Sequence, residues 1–279
     1  MSSLSSQRAD AVGGEDAGPP LLQLRNVSKS YGAVTALQGV DLQVRGGEVV
    51  ALVGDNGAGK STIVKAIAGV HQLDSGEILV NGHRVHLNSP QDAVDAGVAT
   101  VYQDLALCNN LDILANLYLG RELRVPKPRL IARFLARGKM SVEGRKVFDQ
   151  LAISLPSLTT PVSDLSGGQR QAVAVGRAIL WGSSAVLFDE PTAALGVQQQ
   201  AMVHSLIRRL RERGLGVLVV SHNLADVFAL ADRIVVLRLG RVAGIFEPKE
   251  ATPNQVVAAI TGTDTIFDSG TVSRGPATW

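Results

Sequence analysis

Residues 54–62 read Gly54-Asp55-Asn56-Gly57-Ala58-Gly59-Lys60-Ser61-Thr62: a glycine, four residues, then Gly-Lys-Ser. An apolar run, Glu48-Val49-Val50-Ala51-Leu52-Val53, precedes them, and Ile63, Ile67 and Val70 follow at helical spacing. Strand, glycine-rich turn and helix is the setting in which this pattern cradles phosphate. The glycines let the backbone turn tightly and bring its N–H groups close to phosphate oxygens. A helix starting near Gly59 directs its positive end at the same anion. Lys60 supplies a mobile cation to the terminal phosphates, and Ser61 offers a hydroxyl to a magnesium ion. Alone, the loop specifies a nucleoside triphosphate and leaves the use of that triphosphate open.

The surrounding chain of 279 residues is long enough for one large α/β domain or a domain with a small insert, and its 46% apolar content is ample for a core. A net charge of +2 gives no overall electrostatic preference for nucleic acid, so no nucleic-acid partner is expected. The single cysteine, Cys108, cannot form an intrachain disulfide and reads as a small buried hydrophobe, in keeping with a reducing compartment. The most apolar stretch, Ala172 to Phe188, contains Arg177 and Gly182-Ser183-Ser184 and so divides into a helix and a strand. A membrane span needs about 20 mostly apolar residues. If the protein works at a membrane, another chain is expected to supply the membrane part. Residues 1–20 carry Asp10, Glu15 and Asp16 among Ser, Gly and Ala, and read as a disordered leader without the apolar centre of a signal peptide.

From Leu21 the pattern becomes structured. Leu22, Leu24 and Val27 predict a strand, with a turn at Ser28-Lys29-Ser30-Tyr31-Gly32, and Val40, Leu42 and Val44 alternate with polar residues as in a half-exposed strand. Two short strands before the loop predict a small antiparallel sheet beside the main one. After the loop helix, Ser75-Gly76 opens a strand closed by Asn81-Gly82, Ser89-Pro90 caps a short helix ending at Gly97, and Val98 to Tyr102 delivers Gln103. Residues 104–164 read as a helical subdomain inserted in the core. Within it, Arg121 to Lys139 holds seven basic residues and one acid, a solvated helical face in preference to a docking surface or lipid contact. Helices over about 168–180, 197–213 and 224–231 then alternate with apolar strands ending at Phe188, Val220, Leu237 and Phe246. That alternation predicts a parallel sheet covered on both faces. The chain turns polar and aperiodic from Thr263, a flexible tail over 263–279, and no internal repeat is present.

Two further stretches carry chemistry. Asp189 and Glu190 end an apolar strand, where side chains of a parallel sheet converge on the ligand crevice. One carboxylate there can serve magnesium and its neighbour can orient or deprotonate a water. Leu165-Ser166-Gly167-Gly168-Gln169 opens a long helix and forms a second anion site from backbone N–H groups and the helix dipole. One nucleotide does not need two such helix ends from distant parts of a chain. Two copies of the domain, each lending this end to the other's nucleotide, would use both.

Together these motifs resemble the ATP-binding subunits of ABC transporters, over about Leu21 to Gly262 and in that family's order. Gly54 to Thr62 matches the Walker A loop, Leu165 to Gln169 the signature sequence, and Ala185 to Glu190 Walker B with its adjoining glutamate. Gln103 stands at the Q-loop glutamine, His222 at the switch histidine and Tyr31 at the aromatic that stacks on adenine. The resemblance implies a P-loop NTPase core with a small antiparallel β subdomain and an inserted helical subdomain. It implies that Lys60 and the loop amides bind the β- and γ-phosphates of ATP, that Ser61, Gln103 and Asp189 serve Mg2+, and that Glu190 positions or activates the attacking water. His222 would contact the γ-phosphate, while Ser166 and Gly168 would act on the ATP of a second copy in a homodimer. One position departs from the family: Gly196 stands where the D-loop usually has aspartate, which puts that cross-dimer contact in question.

Pro191-Thr192-Ala193-Ala194-Leu195-Gly196-Val197, Tyr102 to Leu107 and Leu117 to Glu122 are similar to the carbohydrate-importer branch. That branch implies an ATPase that powers import of a monosaccharide-type sugar through a separate membrane permease, fed by an external sugar-binding protein. Its place would be peripheral, at the cytoplasmic face of the membrane. Two other functions compete: a soluble ABC-type ATPase acting on DNA or ribosomes, and a regulatory module that hydrolyses slowly. Long coiled-coil inserts or two linked nucleotide domains would mark the first, and the sequence has neither.

Overall fold

The computed structural model describes residues 19–126, 133–193 and 195–263. The expected leader and tail fall almost wholly outside them. In chain order, β1 (Pro20–Tyr31) pairs antiparallel with β2 (Val34–Arg45), and β3 (Val49–Val53) leads through the phosphate loop into α1 (Lys60–Ile67). The strands β4 (Ser75–Val80) and β5 (His83–Val85) follow, then α2 (Pro90–Asp95) and β6 (Val98–Val101). The insert holds α3 (Ile113–Tyr118), β7 (Arg124–Pro126), β8 (Arg133–Leu135) and α4 (Arg137–Gln150). The chain returns through α5 (Gly167–Leu180), β9 (Ala185–Asp189), α6 (Val197–Glu212), β10 (Gly216–Val220) and α7 (Leu224–Leu230). It closes with β11 (Arg233–Arg238), β12 (Arg241–Phe246) and α8 (Pro253–Thr261).

The central sheet has the order β12-β11-β3-β10-β9-β6, parallel except for the antiparallel edge strand β12. Alternation within its strands sends side chains to two cores. Val50 and Leu52 of β3 join Ile63 and Ile67 of α1 and the strands β1, β2 and β4 on one face. On the other face, Val217 and Val219 of β10 join α5 and α6, while Ala51 and Val53 meet α7 and α8. Every residue of β3 is at most 1% exposed, and burying each valine or leucine contributes about 1.5–3 kcal/mol. The helices α3 and α4 of the insert pack through Leu117 and Phe148 onto Val173 of α5.

The antiparallel sheet β2-β1-β4-β5 is present, but its first two strands are 12 residues each, not short. The expected turn at Ser28 to Tyr31 is strand. A register shift between Leu24 and Val27, with Asn26 at φ 48°, carries β1 past the point where its alternation lapses. Val70 is not part of α1, which ends at Ile67, and it is 46% exposed. The insert also departs from a wholly helical reading. Part of the basic stretch is the two-stranded ribbon β7-β8, and α4 begins only at Arg137. Its described charges are partnered within the chain: Arg121 with Asp95, Arg124 with Glu122 at 3.7 Å, Arg137 with Asp112 at 2.8 Å and Lys139 with Glu143 at 3.8 Å. Lys127, Arg129 and the side chain of Arg133 lie outside what the structure describes. The helix α8 was not expected from the sequence.

Candidate ATP-binding and hydrolysis site

Strand register assembles the site. Leu52 of β3 lies beside Val220 of β10, Val220 beside Asp189 of β9, and Phe188 beside Val101 of β6. The segments that leave these four strands therefore emerge along one edge: the phosphate loop, Ser221-His222, Asp189-Glu190 and Tyr102-Gln103. This is the edge at which parallel α/β sheets bind ligands.

In the phosphate loop, Gly57 has φ +81° and Gly59 φ +109°, backbone that only glycine adopts without strain. Gly59 is also hemmed in, since a Cβ there would lie 2.6 Å from the carbonyl oxygen of Ala36 and 2.9 Å from Leu37 Cδ2, both in β2. Asp55 and Asn56 are exposed at the loop's tip, Ala58 is buried beneath it, and Ser61 is exposed at the start of α1. The Ala58 carbonyl accepts from Gly240 N at 3.0 Å, so the β11–β12 turn props the loop from behind. The amide of Thr62 donates to Gly59 O at 3.0 Å. Among the described residues, the amides of Gly57, Gly59, Lys60 and Ser61 donate to no protein acceptor. Lys60 Nζ donates to the carbonyls of Gly54 at 2.7 Å and Asp55 at 3.0 Å, which hold the ammonium across the loop. Free amides, a helix N-terminus and a positioned cation are the donor set that a polyphosphate requires.

Opposite this loop, burial first and the charge of Glu190 second raise the Asp189 carboxyl above its ordinary range, with Lys60 and Lys65 opposing. A divalent cation would relieve both causes, and an oxygen set of carboxylate and hydroxyl suits a hard ion such as magnesium. Glu190 has φ +52°, an uncommon conformation for this residue, and its N–H donates to Val220 O at 2.9 Å. Its carboxylate meets His222 twice, at 2.9 Å from Nδ1 and 3.4 Å from the backbone N–H. The structure thus joins Glu190 and His222 directly, with the imidazole exposed and the carboxylate largely buried.

Ser166 and Gln169 form a reciprocal cap on α5: Ser166 Oγ accepts from Gln169 N at 3.3 Å, and Gln169 Oε1 accepts from Ser166 N at 2.9 Å. The hydroxyl proton of Ser166 is left to donate elsewhere. Gly167 and Gly168 lie against α6 and its leader, where a Cβ would meet Leu195, Gln199 and Met202. The helices α1 and α5 pack on opposite faces of the central sheet, so Ser166 to Gln169 and the phosphate loop of the same chain do not form one pocket.

Two further expected residues lie at the rim. Gln103 is exposed in a turn followed by Leu105 at φ 61° and Ala106 at φ 45°. Tyr31 ends β1, 42% exposed, with its ring edge-on to His71 at 5.5 Å. Gly196 is the N-cap of α6 and provides no side-chain cap. Local sequence did not reveal the supports of the site. The β2 backbone at Ala36 and the turn at Gly240 touch the phosphate loop, and Thr192 donates to a buried Asp226.

Residues 37–193 match the family model described as ABC transporter. The chain belongs to the ABC transporter family. The xylose/arabinose import ATP-binding protein XylG of Sulfolobus acidocaldarius is 46% identical over 255 residues, covering 91% of this chain and 98% of that protein. The fructose import ATP-binding protein FrcA of Rhizobium meliloti is 44% identical over 247 residues, covering 87% and 94%. Among solved structures, a dimeric bacterial ABC transporter cassette superposes with a TM-score of 0.65 at 24% identity, over 81% of this chain and 98% of that one. The ABC cassette binds and hydrolyses ATP, on a P-loop NTPase fold.

Proposed function

We propose that this cassette is the ATP-hydrolysing subunit of a sugar importer, working as a homodimer beneath separate membrane permease subunits. An external sugar-binding protein would deliver the cargo. The observation that carries the mechanism is the meeting of four strand ends at one edge, with the signature helix on the opposite face of the sheet. The sugar class rests on the names of the two relatives, whose lengths the chain nearly spans. Their names give import of different sugars, in keeping with selectivity residing in other subunits.

In this reading Lys60 and the amides of Gly54 to Thr62 hold the β- and γ-phosphates, and Tyr31 stacks on adenine. Ser61, Gln103 and Asp189 hold Mg2+, which would neutralise phosphate charge as it develops. Glu190 orients the attacking water and His222, held by the same carboxylate, reaches the γ-phosphate. Ser166, Gly167, Gly168 and Gln169 of one copy close over the ATP of the other, an isologous two-fold arrangement. The domain would span 21–262, with 104–164 as the insert. Among the described residues no helix is long and apolar enough to cross a membrane. In this reading the cassette attaches peripherally, at the cytoplasmic face of the membrane. A groove of about 250 Å³ lined by Tyr102, Leu119, Arg121, Arg177 and Trp181 lies between the core and the insert, where a permease segment can dock.

The test is ATP turnover of Glu190→Gln with and without permease. The variant is expected to lose about 100- to 1000-fold in kcat while still binding ATP. Unchanged turnover would remove Glu190 from this role. Turnover of the native chain that ignores the permease would count against the coupled reading.

A further inference from the structure

Asp226 sits in the first turn of α7, 7% exposed, and lies outside every motif assigned above. Its Oδ2 accepts from Thr192 Oγ1 at 2.6 Å and from Asn223 Nδ2 at 3.0 Å. Its Oδ1 lies 2.9 Å from Nε2 of His204 on α6, close in distance but not aligned as a hydrogen bond. Thr192 is 5% exposed, so its bond to the carboxylate is shielded from water. A buried carboxylate is costly unless its acceptor sites are filled, and here the segment after β9 and the N-cap of α7 both donate to Oδ2 while His204 of α6 stands against Oδ1.

The places those partners occupy are informative. Thr192 lies two residues past Glu190, and Asn223 one residue past His222. Asn223 is in turn fixed on both sides: its amide donates to Ser221 Oγ at 3.0 Å and its Oδ1 accepts from Ala225 N at 3.1 Å. One buried carboxylate therefore ties the segment leaving β9 to the segment leaving β10, within two residues of Glu190 and one of His222, which meet at 2.9 Å. Glu190 needs such restraint. A non-glycine residue in the left-handed region costs about 1–2 kcal/mol and persists only where its surroundings hold it.

We propose that Asp226, through Thr192 and Asn223, is the positioning residue that sets the geometry of the Glu190–His222 pair and thereby the rate of hydrolysis. The inference rests on the proposed role of Glu190. Because misplacing a reacting group by about 1 Å can cost 100-fold, loosening the tie lowers kcat and spares nucleotide binding, which rests mainly on the phosphate loop after β3.

The experiment compares the full-length chain with Thr192→Val, Thr192→Ser and Asp226→Asn, and carries Glu190→Gln in parallel. The readouts are kcat and KM for ATP, ATP affinity and the thermal midpoint. Valine keeps the shape of threonine and removes the hydroxyl, so kcat is expected to fall about 10- to 100-fold with ATP affinity within about twofold of native. Serine returns the donor and restores turnover. A merely structural role would lower the thermal midpoint of Thr192→Val and leave kcat unchanged, and that result overturns the proposal. If Thr192→Val does not fold, Asp226→Asn decides, since it keeps the volume and weakens the acceptor; native kcat in that variant overturns the proposal. If Glu190→Gln is inactive while both network variants turn over normally, the inference falls and the site reading stands. If Glu190→Gln is itself fully active, both fall.

Discussion

Replacing Gly59 by alanine separates two costs that glycine avoids in the phosphate loop. Gly57 and Gly59 both have left-handed backbone, at φ +81° and +109°. An alanine at either position carries a conformational cost of about 1–2 kcal/mol. At Gly57 nothing stands within 4 Å of the added methyl, so the conformational cost is the whole effect. At Gly59 the methyl would lie 2.6 Å from Ala36 O, 2.9 Å from Leu37 Cδ2 and 3.1 Å from Leu237 Cδ2. A backbone carbonyl in a long strand pair cannot swing aside as a side chain can. Overpacking of this kind adds about 1–3 kcal/mol. Gly59→Ala should therefore destabilise the chain by about 2–5 kcal/mol and Gly57→Ala by about 1–2 kcal/mol. Urea unfolding of the nucleotide-free variants measures both on one scale, provided the slopes agree with the native chain. Equal losses in the two variants would show that β2 does not confine the loop and would refute the packing argument.

Two further outcomes follow from the site. Gly196 caps α6 with no side-chain acceptor, and a Cβ there meets nothing within 4 Å at an ordinary φ of −71°. Gly196→Asp should add a cap and a favourable charge at the helix N-terminus, raising stability by about 0.5–1.5 kcal/mol; an unchanged urea midpoint would reject it. Burial, then Glu190, raises the Asp189 carboxyl above its ordinary 3.8. The folded chain binds that proton more tightly than the unfolded one, so this group's contribution to stability falls as pH rises from the unfolded value through the folded one. Native minus Asp189→Asn stability, measured without nucleotide or magnesium, should decline over that window; a flat or rising difference would contradict the assignment.

The parts legible in the sequence are those whose chemistry and placement are both local. The phosphate loop, Asp189-Glu190 and Ser166 to Gln169 each sit at an element boundary that their own residues define, and the parallel strands announce themselves as short apolar runs. Alternation fails where a bulge shifts it: Leu22 and Leu24 keep phase, but the irregularity at Asn26 moves Val27 out of step, so β1 read as shorter than its 12 residues. The ribbon β7-β8 lay within a basic stretch whose charge said nothing of backbone pairing. The helix α8 did have a local signal, the Thr252–Gln255 capping box with Pro253 at its first position, and reading it would have placed the helix. Asp226 could not have been found in this way. Asn223 is its neighbour along the chain, but its partners at 192 and 204 come near only when α6 and α7 pack beside the strand ends.

The bare backbone of Gly167 and Gly168 against Leu195, Gln199 and Met202 has a consequence for how this chain can diverge. The start of α5 and the approach to α6 meet mainly through the side-chain ends of Leu195, Gln199 and Met202, so a change in one segment is met by a matching change in the other. An alanine at 167 asks for something smaller than leucine at 195, and bulk at 168 for something shorter than methionine at 202. A chimera that grafts one segment from a distant relative should lose stability at this seam, while one that carries 165–170 and 195–202 together should recover it.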